Sequence, residues 1–164
     1  MKQSALFIFL LFFLISCEKN NSLLNSRATL TDGIETVFEL RDVSGLPARE
    51  FQVGDSIRFC CQMINRSGKE QGWMKPDSRP FVTDEIYKND SLVWNSTWGF
   101  GFYLAIVQDT LEDGQRMERS LFFGVTDSLT PPGNYRAVAE PETRFEDFDL
   151  SNLQIEFVVA EINR

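Results

Sequence analysis

Twenty-four carboxylates, three cysteines and no histidine set the chemistry open to this chain. Without an imidazole, a Ser-His-Asp or Cys-His nucleophile is excluded, and a zinc site lacks its commonest ligand. Paired carboxylates could still work as acid and base across a glycosidic bond. The groupings available are Asp109, Glu112 and Asp113 around one turn, and Glu140, Glu142, Glu146, Asp147 and Asp149 further on. None has an evident partner that would tune its protonation, so they read as solvated turns and no catalytic residue is assigned. Calcium on Glu146, Asp147 and Asp149 would lack an EF-hand loop and its glycine. The expectation is a protein without catalysis, metal or cofactor.

Cys60 and Cys61 are adjacent, so on a strand they point to opposite faces. They read as small buried apolar residues, with a vicinal or intermolecular disulfide as the alternative in an oxidising compartment. The aromatic group Trp94, Trp98, Phe100, Phe102 and Tyr103 could stack on a sugar, but large aromatics dominate cores. Core packing is therefore expected, with Trp98, nearest a turn, the member left exposed. Trp73, Met74 and Lys75 fall in a long stretch from Arg66 to Arg79. Adjacent bulky residues in a polar loop are either packed back onto the domain or used for contact. If the protein grips a partner, the loop at Trp73, Met74 and Lys75 is the expected place.

The remaining cysteine closes an apolar run. Lys2 precedes an unbroken hydrophobic stretch from Ala5 to Ile15, and small Ser16 then stands before Cys17. Such a segment is a targeting sequence, too short for a transmembrane helix. The tetrad Leu14-Ile15-Ser16-Cys17 resembles a bacterial lipobox. The resemblance implies cleavage before Cys17, diacylglycerol on its thiol and membrane contact through that lipid. Two acyl chains suffice for stable anchoring. The expected organisation is a signal peptide at residues 1–16, lipidated Cys17 with a flexible tether at 17–27, and one folded domain at 28–164. Glu18 carries no inner-membrane retention signal by resemblance, so the expected address is the cell envelope, at the outer membrane. A net charge of −8 repels phosphate backbones and disfavours nucleic acid.

The elements that must position these residues read as strands. Ile34, Thr36, Phe38 and Leu40 alternate with polar neighbours, as do Ile57, Phe59, Cys61 and Met63, and Leu153, Ile155, Phe157 and Val159. Lys88-Asn89-Asp90-Ser91 reads as a hairpin turn between two such runs. Phe100, Phe102, Leu104 and Ile106 suggest another strand, followed by a turn at Glu112-Asp113-Gly114. Roughly eight short strands with apolar faces favour two packed sheets. The expected fold is all-β, an immunoglobulin-like antiparallel sandwich of about seven to nine strands.

Four further features carry a family resemblance: a strand ending in Asn65, the step to Pro80-Phe81, the hairpin Phe81 to Ser96, and Gly133-Asn134-Tyr135-Arg136-Ala137. Over about residues 50–160 the chain resembles the immunoglobulin-like domain family named after the intracellular proteinase inhibitor. The resemblance implies a β-sandwich and, as one function, proteinase inhibition through the loop from Arg66 to Arg79. The leading expectation is a lipid-anchored sandwich that binds an envelope protein or surface component without catalysis. A carbohydrate-binding accessory role through Trp98 is a further alternative. The triplets starting at Asp55, Asp90, Asp109 and Asp127 resemble an O-glycosylation acceptor motif of exported proteins in some Gram-negative bacteria, and equally suit turns that enter strands.

Overall fold

A computed structural model of the chain describes residues 26–161, which form twelve β-strands and no helix. In chain order they are β1 (Ser26–Thr31), β2 (Ile34–Arg41), β3 (Glu50–Gln52), β4 (Ser56–Asn65), β5 (Gln71–Lys75) and β6 (Val82–Lys88). There follow β7 (Ser91–Asn95), β8 (Val107–Leu111), β9 (Arg116–Gly124), β10 (Gly133–Pro141), β11 (Arg144–Phe145) and β12 (Leu153–Ala160). One sheet has the order β1-β2-β4-β9 and the second β3-β12-β10-β6-β7; a small third sheet has the order β11-β5-β8. The chain is an all-β sandwich, as the alternation predicts. The expected signal peptide, Cys17 and most of the expected tether lie outside the described residues.

Period-two alternation explains why the two large sheets pack. In register, Phe38 pairs with Cys61 and Cys61 with Arg119, so β2, β4 and β9 turn Ile34, Phe38, Phe59, Met63 and Phe123 to one face. Opposite them stand Val82, Ile86, Tyr135, Ala137, Ile155 and Phe157 from β6, β10 and β12, all buried. Trp94 of β7 reaches across between Phe59 and Phe123, with ring centroids 5.6 and 4.8 Å away. The β6–β7 hairpin turns through Asn89 and Asp90 at φ 49° and 62°, the left-handed pair that a two-residue hairpin requires.

Four expectations are corrected. Twelve strands replace seven to nine, because short pieces such as β3 and β11 carry no alternation long enough to see. The sheets are not wholly antiparallel, since β3 runs parallel to β12. The expected domain start at residue 28 falls inside β1, where Ser26 and Arg27 already pair with Glu39 and Phe38. Finally, the segment from Phe100 to Ile106 is not a strand.

The β1–β2 turn sits tightly on the loop after β4. Gly33 has φ +85°, and a Cβ there would lie 2.5 Å from the Cβ of Ser67. Both the backbone and the space demand glycine. Gly33→Ala is expected to destabilise the fold by more than about 1 kcal/mol, read as a lower midpoint in urea denaturation. An unchanged midpoint would show that this turn gives way.

Candidate partner-binding surface

The third sheet exists because the β4–β9 ribbon is creased and continues as β5–β8. Asn65 ends β4 fully buried and forms the crease. Its Nδ2 donates to the carbonyls of Lys69 and Leu111, both at 2.7 Å, and its Oδ1 accepts the Ser67 N–H at 2.9 Å and hydroxyl at 2.7 Å. Its backbone accepts from Gly114 and donates to Gln115. One side chain thus satisfies the polar groups that the break in the ladder would leave unpaired.

Beyond the crease, β5 lies between β11 and β8. Trp73 pairs with Phe145 on one side and Asp109 on the other. The expected loop at Trp73, Met74 and Lys75 is therefore a strand, paired along both edges. Trp73 turns towards the core with Phe145, Met74 is 40% exposed, and the Lys75 ammonium donates to the Arg79 carbonyl at 2.6 Å. The opposite face carries a groove of about 700 Å³, lined by Met74, Gln108, Thr110, Arg144, Glu146 and Phe148 among others. Gly72 floors it, and the Glu146 carboxylate lies 3.4 Å from where a Cβ would stand. Phe145 and Phe148 stack at 4.9 Å beside it.

The second element is a ridge that sequence reasoning placed in the core. Between β7 and β8, Trp98 is 53% exposed, Phe100 70%, Tyr103 82%, Leu104 96% and Ile106 72%, and Val107 opens β8 at 36%. No charged residue occurs from Trp98 to Val107. Only Trp94 of the expected aromatic cluster packs against the core; Trp98 is at the surface as expected, but Phe100 and Tyr103 join it there. The ridge is held by exchange with the segment after β5. The Tyr103 N–H donates to the Ser78 hydroxyl at 3.0 Å, and the Ser78 N–H donates to the Tyr103 carbonyl at 3.1 Å. A contiguous apolar surface of this kind marks an interaction site.

Electrostatics around the two elements are one-sided. Asp109, Glu112, Asp113, Glu146, Asp147 and Asp149 make no ion pair among the described residues; Arg144 lines the groove with Glu146, Asp147 and Asp149, and Lys69 shares a smaller hollow with Asp147. No group of three or more metal-binding side chains is arranged around an ion site among the described residues. Elsewhere, Asp84 of β6 is buried between the sheets and ion-paired to Arg119 of β9. Burial outweighs the nearby guanidinium and pushes its carboxyl up to about 6. Cys61 faces the same layer, and burial pushes its thiol up to about 12, which makes it inert. Cys60 points outward and is half-buried, and neither cysteine forms a disulfide among the described residues. In the Asp-Ser/Thr-aliphatic triplets, Ser91, Thr110 and Ser128 are exposed and Ser56 is half-buried.

No family model matches the chain, and no curated protein matches it. Among solved structures, a β-glucosidase of Erythrobacter marinus is similar over 82% of this chain and 15% of its own, at 10% identity and TM-score 0.42. The CARDB domain of a Pyrococcus furiosus protein is similar over 81% of this chain and 99% of its own, at 12% identity and TM-score 0.42. The ApaA protein of Bordetella pertussis is similar over 80% of this chain and 95% of its own, at 14% identity and TM-score 0.40. This chain thus spans a small fraction of the β-glucosidase.

Proposed function

We propose that the protein is a lipid-anchored β-sandwich of the cell envelope that binds another envelope protein through the ridge from Trp98 to Val107, without catalysis. The single observation that carries the reading is the exposure of that uncharged, aromatic and aliphatic segment. Its position suits presentation. Ser26 pairs with Glu39, near the Arg41 and Arg58 end of the first sheet, whereas the crease at Asn65 lies at the other end. The nine residues 17–25 can span at most ~30 Å, so a lipid on Cys17 would hold the attachment end close to the bilayer. Anchoring raises the effective concentration of the ridge at that surface, so a modest interface suffices.

The inhibitor reading drawn from the family resemblance is weaker. The segment it needs as a free loop contains β5, which is paired on both edges. The contact is therefore assigned to the ridge instead of to Trp73, Met74 and Lys75.

Two measurements test the proposal. Metabolic labelling with a fatty-acid analogue is expected to tag the chain but not its Cys17→Ala variant; an untagged chain removes the anchor. The double variant Leu104→Ser/Ile106→Ser touches only exposed side chains, so stability is expected to change by less than about 0.5 kcal/mol. Crosslinking from a photoreactive residue at Trp98 to envelope proteins is expected to fall by more than about tenfold in that variant, since each lost side chain withdraws about 1.5–3 kcal/mol of burial. Unchanged crosslinking, or a destabilised variant, would overturn the assignment of the ridge.

A further inference from the structure

We infer that the outer edge of β8 receives an added β-strand from an extended, cationic segment of the partner protein. The inference rests on the binding role proposed above and names how that partner is held. β8 is the outermost strand of the third sheet, and Val107, Gln108, Asp109 and Thr110 are all exposed. On such an edge, alternate N–H and C=O groups point away from the sheet and template a further strand; the Thr110 N–H donates to the Asp109 carboxylate at 2.8 Å, a bond the incoming strand would displace. Proteins usually guard an exposed edge with lysine, proline or a bulge. The sequence Val107-Gln108-Asp109-Thr110-Leu111 has neither residue, and its pairing with β5 runs without a register shift.

The edge continues directly into the ridge. A strand laid along β8 and prolonged past Val107 would bring its apolar side chains over Ile106 and Leu104. Its other end would meet Asp109 of β8 and Glu112 and Asp113 just beyond it. These three carboxylates make no ion pair among the described residues and select lysine or arginine in the incoming segment. Charge also decides against the other occupants. A second copy would set the same carboxylates and the same net charge of −8 against themselves. An anionic lipid surface would meet the same repulsion.

The probe is a fluorescent nonapeptide of alternating valine and lysine, offered to the full chain in zwitterionic nanodiscs, with a valine–glutamate peptide as its counterpart. The lysine peptide is expected to bind, to weaken as salt rises, and to slow hydrogen exchange at residues 107–111. The variant Asp109→Lys/Glu112→Lys is expected to weaken it at least tenfold. Equal binding of both peptides, or protection confined to other strands, would overturn the added strand. So would protection of β8 that appears with self-association in sedimentation, or with anionic vesicles alone. If Leu104→Ser/Ile106→Ser abolishes crosslinking while the lysine peptide fails to bind, the ridge keeps its role and the strand-addition mode is lost.

Discussion

Replacing Arg119 by Met is expected to cost about 3–5 kcal/mol at pH 8, because it leaves the Asp84 carboxylate buried without a counter-charge. Asp84 is 2% exposed, and its Oδ1 has no hydrogen-bond partner among the described residues. Arg119 also donates to the Val82 carbonyl at 2.7 Å, so the one guanidinium ties β9 to β6 twice. The cost depends on pH in a definite direction. Asp84 titrates at about 6 in the fold and at 3.8 in the open chain, so the folded state holds its proton more tightly. Its contribution to stability is complete below about pH 4 and is lost as pH rises through 6, a loss of about 3 kcal/mol. Near pH 5 the carboxyl is mostly neutral, and Arg119→Met is expected to cost less than about 2 kcal/mol. The double variant Asp84→Leu/Arg119→Met is expected to regain the loss and to flatten the pH profile, since apolar pairs often match buried ion pairs. Urea denaturation at pH 5 and pH 8 reads all three. A single variant equally destabilised at both would sink the account.

That pair was not singled out in the sequence, although the alternation carries its signal. Met117, Leu121 and Phe123 share a phase with Arg119, and Val82 and Ile86 share one with Asp84. A charge at an inward position on each of two strands calls for the other across the layer. The cores of β2, β4 and β12 were plain, because each alternates over seven or more residues. Alternation misleads between Phe100 and Ile106, where the same period appears without a partner strand to use it. Sheet formation there depends on a long-range neighbour, and Tyr103 finds only the backbone and hydroxyl of Ser78. The opposite error occurs at β5. Five residues containing a glycine carry no local signal, yet they pair with Arg144 and Phe145 on one side and with β8 on the other. Those partners are about seventy and thirty-five residues away, beyond any window of local pattern. The candidate surface was thus hidden for one physical reason: its exposure and its pairing are both set by distant chain.

Asn65→Ala is expected to be the other large loss, about 2–4 kcal/mol, with effects concentrated at the candidate surface. The substitution deletes four side-chain hydrogen bonds and leaves the Leu111 carbonyl without the Asn65 donor, close to the buried Leu111 side chain. Each buried polar group left unpaired costs about 1–3 kcal/mol, and partial access to water at Ser67 and Lys69 keeps the sum below that of four full penalties. Asn65→Asp should be worse than Ala, because a carboxylate would face the Lys69 and Leu111 carbonyls where the amide donates. The distribution of the damage separates this crease from an ordinary core position. The main sandwich keeps its ladders, whereas β5 and β8 lose the joint that orients them. Hydrogen exchange is therefore expected to accelerate in residues 71–75 and 107–111 well before β2 or β12. Binding at the β8 edge should fall with it, even at a urea concentration where the sandwich stays folded. Uniform acceleration across all strands would mean that Asn65 supports the whole core and that the third sheet has no separate stability to lose.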